Sequence, residues 1–476
     1  MLKSDNLTPA NETYSKRYYK KTVLNLTYRN KNEKANRGCA PFHIGANLIK
    51  SHYTNQIDAS MDGKEVTLAG WVNEIRETSK VTFLILRDME GTAQVIGKKG
   101  VTPEDVIKRM ALPKESVVLI KGIVSANTES KYGYEIIARD VEDLNPISTM
   151  IPFEVTGKVP AEIDVRLDNR HVDLRRKEPS AIFNIESTII ESFVGITSRN
   201  GFRHIRTPSI IEDASEGGAE VFKLKYFERE AFLAQSPQLY KQLAVIGGIE
   251  KVAMVMPAFR AEKSNTTSHL TEITQMDVEI AFADADDAIS ILIATIKGII
   301  EKIIEKNGPD LEKLGIKLIS PEAKIVTYEN AVKSLSEKGY KIETGEDFSR
   351  ENELAIYEIF GDAVVVKDYP TKVRAFYSMP KKDNPEISES YDYIYKGVEI
   401  SSGAKRINDA DMLIRALRSR EIDTKPFDFY INAFRCGAPP HAGWSIGMER
   451  LAMQITGAKN IRECSMFPRD RKRLVP

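Results

Sequence analysis

Cysteine and histidine are scarce in this chain of 476 residues, which has three of the first and six of the second. The cysteines, Cys39, Cys436 and Cys464, form no CxxC pair, so neither a disulfide framework nor a thiolate zinc site is supported. No two histidines stand at metal-ligand spacing, and the GxxxxGKS/T, GxGxxG, HExxH and GxSxG motifs are missing. These absences disfavour hydrolases and metalloenzymes.

Long hydrophobic runs are missing as well. The best candidate, residues 252–259, is far shorter than the roughly 20 residues that span a bilayer, and it contains Pro257. Residues 14–21 read YSKRYYKK where a signal peptide would have an apolar core. The sequence therefore predicts no membrane span and no secretion, and the few cysteines favour a reducing cytoplasm.

The net charge is zero, because 68 basic residues balance 68 acidic ones. Such a balance ordinarily disfavours a nucleic-acid partner, since Lys and Arg make most phosphate contacts. However, residues 1–50 hold ten basic and three acidic residues, a net charge of +7, so the remainder carries −7. The first 50 residues are predicted to be a disordered extension or the product of a translation start placed too far upstream. A basic arm that touches RNA is the alternative.

The apolar residues alternate with period two from Glu65 to Ile137, in short runs separated by glycine-containing turns. This pattern predicts a small closed β-barrel of the OB type over residues 51–147. Residues 148–180 contain several prolines and no long apolar period, and they are predicted to be a linker or hinge.

The remaining residues, 181–476, mix helices and strands. Apolar residues recur every three or four positions from Ile182 to Ile196, which predicts a helix with one apolar face. A second helix is predicted from Asp284 to about Lys306, with acidic residues in its first turn, where they suit the helix dipole. Strand-like runs surround these helices in an irregular order, which predicts an α+β domain rather than repeated βαβ units.

Two charged residues stand out because they directly follow an apolar strand. Arg260 and Glu262 come after VAMVMPAF and before a polar loop, and period two points them to one face. A structural ion pair is the plain alternative. A buried charged pair is costly unless it is compensated, so this position favours ligand binding.

A second candidate lies near the C-terminus, where the Gly/Pro-rich residues 437–447 lead into a helix that contains Arg450. Backbone amides at such a junction can face a phosphate. An ordinary glycine-rich helix entry is an equal alternative when this segment is judged alone.

Taken together, these segments resemble the class II aminoacyl-tRNA synthetases, and within them the aspartyl-tRNA synthetases of the archaeal and eukaryotic-cytosolic type. Eight segments carry the resemblance in the family's order, from about residue 51 to the end. Similar to motifs 1, 2 and 3 are GFRHIRTPSI (201–210), FRAEKSNTTSHLTEITQMDVEIAF (259–282) and GWSIGMERL (443–451). The others are LDNRHVDLRR (167–176), SEGGAEVF (215–222), FLAQSPQLYKQ (232–242), GVEISSGAKR (397–406) and FPRDRKRL (467–474).

The resemblance implies an OB-fold that reads the anticodon, followed by a catalytic domain built on an antiparallel sheet flanked by helices. It implies that aspartate is activated with ATP to aspartyl-adenylate and pyrophosphate, then transferred to the 3′ end of tRNA(Asp). Whether tRNA(Asn) is also charged stays open. Such a reaction needs positioning and charge neutralisation rather than a protein nucleophile, in agreement with the missing Ser/His and Cys/His pairs.

The resemblance also implies the residues that bind ATP. Arg260 would bridge the α-phosphate and the amino-acid carboxylate, which a planar fork can do, and Arg450 would lie across the triphosphate. Catalytic roles fall on Arg260, Glu399 and Arg450. The whole ATP set is Arg260, Ala261, Glu262, Ser268, His269, Leu270, Glu399, Gly447, Met448, Glu449 and Arg450.

Magnesium and aspartate are implied at neighbouring positions. Mg²⁺ is a hard cation that accepts oxygen ligands, and the residues implied to bind it are Glu399, Ser402 and Asp392. The residues implied to bind aspartate are Glu216, Gln238, Lys241, Arg260, Ser402 and Arg406. Of these, Glu216 would face the ammonium group of the substrate. Lys241 and Arg406 would face its side-chain carboxylate, an arrangement that leaves the neutral amide of asparagine poorly paired.

The sequence departs from the family's pattern at three positions. Ile273 stands where many members have an aromatic residue on adenine, and Ser445 stands where glycine is more usual. Asn73 stands in the barrel where some archaeal relatives have an aromatic residue, a position that bears on the anticodon. Asn73, Arg76 and Phe83 are the implied anticodon contacts.

The resemblance implies a homodimer with Pro208 at its interface. The nearest alternatives are an asparaginyl-tRNA synthetase and an asparagine-synthetase paralogue; Lys241 counts against the first and the OB domain against the second. A catalytically silent RNA-binding paralogue is the alternative from another class, and the retained Arg260, Glu399 and Arg450 disfavour it.

Overall fold

The computed structural model describes residues 49–212, 221–263, 266–342 and 345–476. They form two compact units, one ending at Ile147 and the other beginning at Ser148. The basic segment lies almost entirely outside the described residues. No helix in the described ranges has both the length and the apolar character needed to cross a membrane.

The first unit is a closed barrel of five strands, as the period-two pattern predicts. The strands pair in the order β1-β2-β3-β5-β4, and a short helix packs beside β5. In chain order, the elements are β1 Glu65–Glu77, β2 Val81–Arg87, β3 Thr92–Lys98, α1 Glu104–Met110, β4 Val117–Ala126 and β5 Tyr134–Asn145. Alternate side chains, such as Val66, Leu68, Leu84 and Leu86, point inward and form the core.

The second unit contains the other strands and helices, in the irregular order that the sequence predicts for an α+β domain. They begin with α2 Ile163–Asp168, α3 Arg170–Asp173, α4 Lys177–Arg199, β6 Arg203–His204, β7 Ile210–Ile211, β8 Lys223–Tyr226, β9 Arg229–Leu233, α5 Gln238–Ile246, β10 Lys251–Phe259, β11 Glu272–Ala281 and α6 Ala285–Lys306. They continue with α7 Gly308–Leu314, β12 Lys324–Thr327, α8 Tyr328–Glu337, α9 Arg350–Phe360, β13 Ala363–Lys367, β14 Ser390–Tyr395, β15 Val398–Lys405, α10 Ala410–Arg418, α11 Asp428–Arg435, β16 His441–Gly447 and α12 Met448–Thr456.

An eight-stranded sheet organises this unit, with the order β12-β13-β14-β15-β16-β11-β10-β6. The strands from β13 to β10 pair antiparallel, and parallel pairs add one edge strand on each side. A smaller sheet, β7-β9-β8, lies in the same unit. One face of the large sheet packs against α4, α6 and α12 in a core that includes Phe193, Leu292 and Trp444. The opposite face packs against α5 at one side and against α8 and α9 at the other, and its middle strands carry polar side chains.

The two long helices form where the apolar periodicity predicts them. In α4, Ile182, Ile185, Ile189 and Phe193 are buried on one face. In α6, Asp284 caps the first turn, since its carboxylate accepts the backbone N–H of Asp287 and completes a capping box. These two predictions are confirmed.

The segment that the sequence predicts as a linker, 148–180, is helical in its second half. Arg170 is buried and its guanidinium contacts Asp173, at 2.5 Å from Nη1 to Oδ2, and the backbone carbonyls of Glu463, Ser465 and Met466. These contacts tie α2 and α3 to the end of the chain. The helices are short and held by charged groups, so they have no long apolar period for the sequence to reveal.

Candidate active site

A row of polar side chains crosses the face of the large sheet opposite α4, α6 and α12. Register places Asp392 of β14 opposite Ser402 of β15, Ser402 opposite Ser445 of β16, and Ser445 opposite Asp277 of β11. Opposed residues on neighbouring strands share a face. Gln275 and Glu279 flank Asp277 at spacing two, so they lie on this face too, and the residues between them belong to the apolar core.

An irregularity in β15 brings Glu399 to the same face. A separation of three residues would place Glu399 and Ser402 on opposite faces of a regular strand. Here the register with β14 shifts between Tyr393 and Ile394, since Tyr393 pairs with Ser401 and Ile394 pairs with Glu399. The extra residue, Ile400, turns into the core, and such bulges re-aim side chains.

The polar face borders a cavity of about 340 Å³. Most of the residues that the family resemblance implies come together around it. They are Gln238, Lys241, Arg260, Glu262, Ser268, His269, Leu270, Glu399, Ser402, Arg406, Gly447, Glu449 and Arg450. Four implied residues stand apart: Ala261, Met448 and Asp392 do not line it, and Glu216 lies outside the described residues.

Two buried carboxylates hold the two implied aspartate-binding cations. Lys241 Nζ lies 2.7 Å from Asp277 Oδ1 and 3.3 Å from Glu279 Oε2. Arg406 donates from Nε and Nη2 to Glu279 at 2.9 and 3.2 Å, and from Nη2 to the Gly443 carbonyl at 2.9 Å. Its Nη1 has no hydrogen bond to any described residue, so that nitrogen can donate to a ligand in the cavity.

Neighbouring positive charges keep Glu279 ionised in spite of its burial. Burial alone would raise the pKa of Glu279, but the charges of Arg406 and Lys241 outweigh it and hold that pKa below its ordinary value. Gly443 leaves room for the Glu279 carboxylate, because a Cβ at that position would lie 2.2 Å from Oε2. The two cations are thus fixed in place before any ligand binds.

A chain of hydrogen bonds orients Gln238. Gln242 Oε1 accepts from Gln238 Nε2 at 3.0 Å and from the Tyr430 hydroxyl at 2.7 Å, while Gln242 Nε2 lies 2.8 Å from His441 Nε2. His441 Nδ1 is 2.8 Å from the Pro439 carbonyl, which can only accept, so the proton is on Nδ1. Burial lowers the pKa of His441, in agreement with a neutral ring.

Arg260 and Arg450 reach the cavity from different elements. Arg260 directly follows β10, and its backbone N–H donates to the Thr271 carbonyl at 2.9 Å. Its guanidinium has no hydrogen bond or ion pair with any described residue. Arg450 in the first turn of α12 donates to the Glu399 carbonyl at 3.0 Å. Two guanidinium groups therefore border one cavity, as a substrate with several anionic groups requires.

Glu262 and His269 form a looser pair beside them. His269 Nε2 lies 3.7 Å from Glu262 Oε2, and His269 Nδ1 lies 2.5 Å from Thr266 Oγ1. Ile273, at the position where the family often has an aromatic residue, lines the same cavity. Ser445, where glycine is more usual, sits in the regular register of β16 and donates to Asp277 Oδ2 at 2.9 Å.

The implied magnesium residues are partly engaged by an arginine. Arg374 forms two hydrogen bonds to Asp392 and one to Ser402 Oγ. Glu399 has no side-chain hydrogen bond to a described residue; burial, and then the Asp392 carboxylate, raise its pKa to about 7. In the described ranges, no group of three His, Cys, Asp or Glu side chains is placed to hold a metal. The residues that the resemblance implies for magnesium are two carboxylates and one hydroxyl, Asp392, Glu399 and Ser402.

Sequence reasoning missed several residues of this site. Asp277 and Glu279 were visible as alternating charges in MDVEIAF, but nothing in the sequence shows that they pair with Lys241 and Arg406. Arg374 lies between residues 307 and 390, where the family's motifs are sparse. Only the fold brings it to the cavity.

The implied anticodon residues lie on the outer side of the barrel. Arg76 and Phe83 are directly opposite each other on β1 and β2. Asn73 falls at a register shift in β1, and its Oδ1 accepts a hydrogen bond from Arg87 at 3.0 Å. In the second unit, Pro208 is exposed and lies two residues before β7.

A buried carboxyl group behind α12 predicts how stability depends on pH. Glu186 of α4 is buried, its Oε1 has no hydrogen-bond partner among the described residues, and burial, then the charge of Glu449, raise its pKa to about 9. The folded protein therefore keeps a proton between pH 4.5 and about 9 that the unfolded chain loses. Its contribution to stability is complete below pH 4.5 and falls as pH rises to about 9.

Glu186→Gln should remove this pH dependence. From about pH 5 to about pH 8, its free energy of unfolding relative to the wild type is expected to rise by up to about 1.4 kcal/mol per pH unit. Urea denaturation across that range measures it, with Glu191→Gln, an exposed position on the same helix, as the control. Parallel curves for wild type and Glu186→Gln would contradict the assignment.

Comparison with known proteins agrees with the fold. Residues 162–471 match the tRNA synthetases class II (D, K and N), and residues 66–144 match the OB-fold nucleic acid binding domain. The chain therefore belongs to the class II tRNA synthetases of this group. It is an aminoacyl-tRNA ligase, of a family that uses ATP.

Its relatives with assigned activities include archaeal proteins of similar length. The aspartate–tRNA(Asp/Asn) ligase of Methanocaldococcus jannaschii is 42% identical over 430 residues, which cover 90% of this chain and 98% of that protein. The aspartate–tRNA(Asp) ligase of Thermoplasma volcanium is 43% identical over 413 residues, which cover 86% and 96%.

Solved structures of synthetases for two different amino acids are similar to this chain. The asparaginyl-tRNA synthetase of Pyrococcus horikoshii, complexed with asparaginyl-adenylate, has a TM-score of 0.86 at 31% identity, and the match covers 90% of this chain and all of that one. The aspartyl tRNA synthetase of Entamoeba histolytica has a TM-score of 0.81 at 29% identity, covering 95% and 100%. The choice of amino acid therefore rests on the cavity and the sequence relatives.

Proposed function

We propose that this protein is an aspartate–tRNA ligase that activates L-aspartate with ATP and transfers it to tRNA(Asp). The observation that carries this proposal is the pair of buried cations, Lys241 and Arg406, at one end of the cavity. Purified protein should charge tRNA(Asp) transcripts with labelled aspartate, and tRNA(Asn) is compared in the same assay. Absence of aspartate on tRNA(Asp) would contradict the proposal.

The cluster around these cations favours aspartate over asparagine. Two carboxylates, of Asp277 and Glu279, already balance the two cations, and Arg406 Nη1 is left as a donor toward the cavity. A substrate carboxylate can accept from that donor, while Lys241, whose N–H groups are directed to Asp277 and to the Val278 and Trp444 carbonyls, attracts it through its charge alone. An asparagine amide presents one acceptor and one donor group, so its NH₂ would face a cation without a partner.

In the first step, an oxygen of the aspartate α-carboxylate attacks the α-phosphorus of ATP, and pyrophosphate leaves. Both reactants are anionic, so the site must bring like charges together and hold them in line. The Arg260 fork can donate to one oxygen of each reactant, while Arg450 holds the departing phosphates. In the second step, a ribose hydroxyl of the tRNA attacks the carbonyl carbon, and AMP leaves.

Magnesium fits the oxygen groups at the edge of this cavity. Glu399 is a carboxylate destabilised by burial and by a second carboxylate, which is the environment a divalent cation relieves. Glu399, Ser402 and Asp392 would hold the ion. When bound, Mg²⁺ would neutralise part of the phosphate charge.

The ATP base is proposed to lie between the loop of Glu262 and His269 and the first turn of α12. Ile273 offers an apolar surface there, and the His269 ring or the Arg450 plane takes the stacking role of the missing aromatic residue.

We also propose a homodimer whose interface includes Pro208. The exposed apolar side chain of Ile210 nearby supports an interface at this surface.

The barrel is proposed to bind the anticodon through its outer face. Phe83 is half-buried beside Arg76, so an unstacked base can stack on the ring while the guanidinium faces a phosphate. Phe83→Ala is expected to raise the KM for tRNA(Asp) about tenfold, because one stacking contact is worth about 1–3 kcal/mol. Charging kinetics at fixed salt measure this value.

A measurement of adenylate formation distinguishes a loss of anticodon binding from a general loss of enzyme activity. ATP–pyrophosphate exchange without tRNA should be unchanged in Phe83→Ala, and Glu142→Ala, an exposed position on β5, should leave both activities unchanged. An unchanged KM for tRNA, or an equal loss of exchange activity, would contradict the role of Phe83.

A further inference from the structure

Arg374 is a nearly buried arginine that bonds to two of the proposed magnesium ligands. Its Nη1 lies 2.7 Å from Asp392 Oδ2, and its Nη2 lies 2.6 Å from Asp392 Oδ1 and 2.6 Å from Ser402 Oγ. Only 10% of its side chain is exposed. The guanidinium carbon lies 4.6 Å from the centre of the Tyr369 ring, which adds a cation–π contact.

The geometry sets Arg374 in competition with a divalent cation. One nitrogen, Nη2, is close to both Asp392 Oδ1 and Ser402 Oγ, so a positive group already stands where a cation would touch both oxygens. A guanidinium and a divalent cation repel each other, and at this depth the repulsion is weakly screened. The two positive groups therefore cannot share these oxygens at this spacing.

The segment that carries Arg374 is held separately from the ligands. Arg374 directly follows a short helical turn, Thr371–Val373, and the backbone carbonyls of Thr371 and Arg374 accept hydrogen bonds from Arg420 Nη2. The neighbouring Val373 and Ala375 line the cavity, as does Arg374 itself. A change of side-chain rotamer can thus move the guanidinium from Asp392 into the cavity without moving its backbone.

We propose that Arg374 is a positioning residue that acts as a resident counter-cation for Asp392, donates a hydrogen bond to Ser402, and yields its place when a divalent cation arrives with ATP. This inference rests on the proposed function, since it takes Asp392 and Ser402 as magnesium ligands. The nucleotide phosphates give the released guanidinium a new anionic partner. Without a nucleotide there is no such partner, so the free cation has to displace Arg374 at a cost. Arg374 therefore makes cation binding depend on ATP.

Titration of the full-length protein with Mn²⁺, followed by electron paramagnetic resonance of the free ion, tests this dependence without measuring catalysis. In the absence of nucleotide, Arg374→Gln is expected to bind Mn²⁺ at least about fivefold more tightly than the wild type. With ATP present, the difference should shrink. Arg374→Lys, which keeps the charge but not the fork, should lie between them.

Four variants keep the result interpretable. Arg435→Gln, an exposed position on α11, should bind Mn²⁺ as the wild type does. Asp392→Asn alone should show no gain in Mn²⁺ affinity. In combination with Arg374→Gln it should abolish the gain of that variant, because the freed carboxylate is its source. Arg374→Lys covers the case in which Arg374→Gln folds poorly.

An Arg374→Gln variant that binds Mn²⁺ without nucleotide no better than the wild type would overturn the inference. So would a gain that persists in the double variant, since its source would then lie elsewhere. Failure of the proposed function is visible separately, as missing aspartate-dependent pyrophosphate exchange in the wild type.

Discussion

Arg260→Ala is expected to slow aspartyl-adenylate formation by about 10²–10³-fold, the usual loss when one preorganised donor to a developing charge is removed. Arg260 is the proposed bridge between the α-phosphate and the attacking carboxylate. Because that bridge is needed most in the transition state, kcat should fall more than the affinity for ATP. Single-turnover formation of the adenylate, measured beside equilibrium binding of ATP, separates the two quantities.

The fold should tolerate this substitution, since the guanidinium has no bond to any described residue. Arg260→Lys retains one positive charge but not the fork, so it should recover little of the lost rate. Arg435→Ala is the control for a surface arginine. A variant Arg260→Ala with normal single-turnover rates would contradict the role that we assign to this side chain.

Lys241→Met is expected to raise the KM for aspartate by more than about 100-fold, as truncating one partner of a buried charge pair costs about 2–5 kcal/mol. ATP binding should change only a few-fold, because Lys241 contacts the sheet beneath the aspartate end of the cavity. The variant should also lose about 3–5 kcal/mol of unfolding free energy, since Asp277 would be left as an uncompensated buried charge. Steady-state kinetics and urea denaturation measure the two effects.

A compensating variant separates binding from stability. In Lys241→Met/Asp277→Asn both charges of the 2.7 Å pair are removed, so most of the unfolding free energy should return. The KM for aspartate should stay high, because the cation is still missing. Recovery of normal aspartate use in the double variant would contradict the proposed contact with the substrate carboxylate.

Much of the fold follows from local patterns in the sequence. Period-two alternation around Leu68 and Leu84 predicts the barrel, and the three-to-four spacing around Ile189 predicts α4, because each pattern directly reflects which side chains are buried. The helices near Arg170 escape prediction. They are held by hydrogen bonds from Arg170 to backbone carbonyls, and by an ion pair of Arg166 with Glu463, in a segment almost 300 residues away in the chain. Local periodicity contains no trace of such contacts.

The candidate site shows the same division. Arg260 and Arg450 can be picked out from the sequence because Arg260 follows an apolar run and Arg450 follows a glycine-rich segment. The family resemblance then assigns them to motifs 2 and 3. The bulge that turns Glu399 onto the face of Ser402 depends on pairing between strands. The contact of Arg374 with Asp392 depends on a loop that no motif marks. These features arise from tertiary structure and require coordinates.

The two buried cations are proposed to select aspartate over asparagine. ATP–pyrophosphate exchange with each amino acid in parallel, using the full-length protein without tRNA, measures this selectivity. Exchange with aspartate is expected at a kcat/KM at least about 100-fold above that for asparagine. Exchange with asparagine alone would contradict the assignment of the substrate, and exchange with neither amino acid would contradict the assignment of an active ligase.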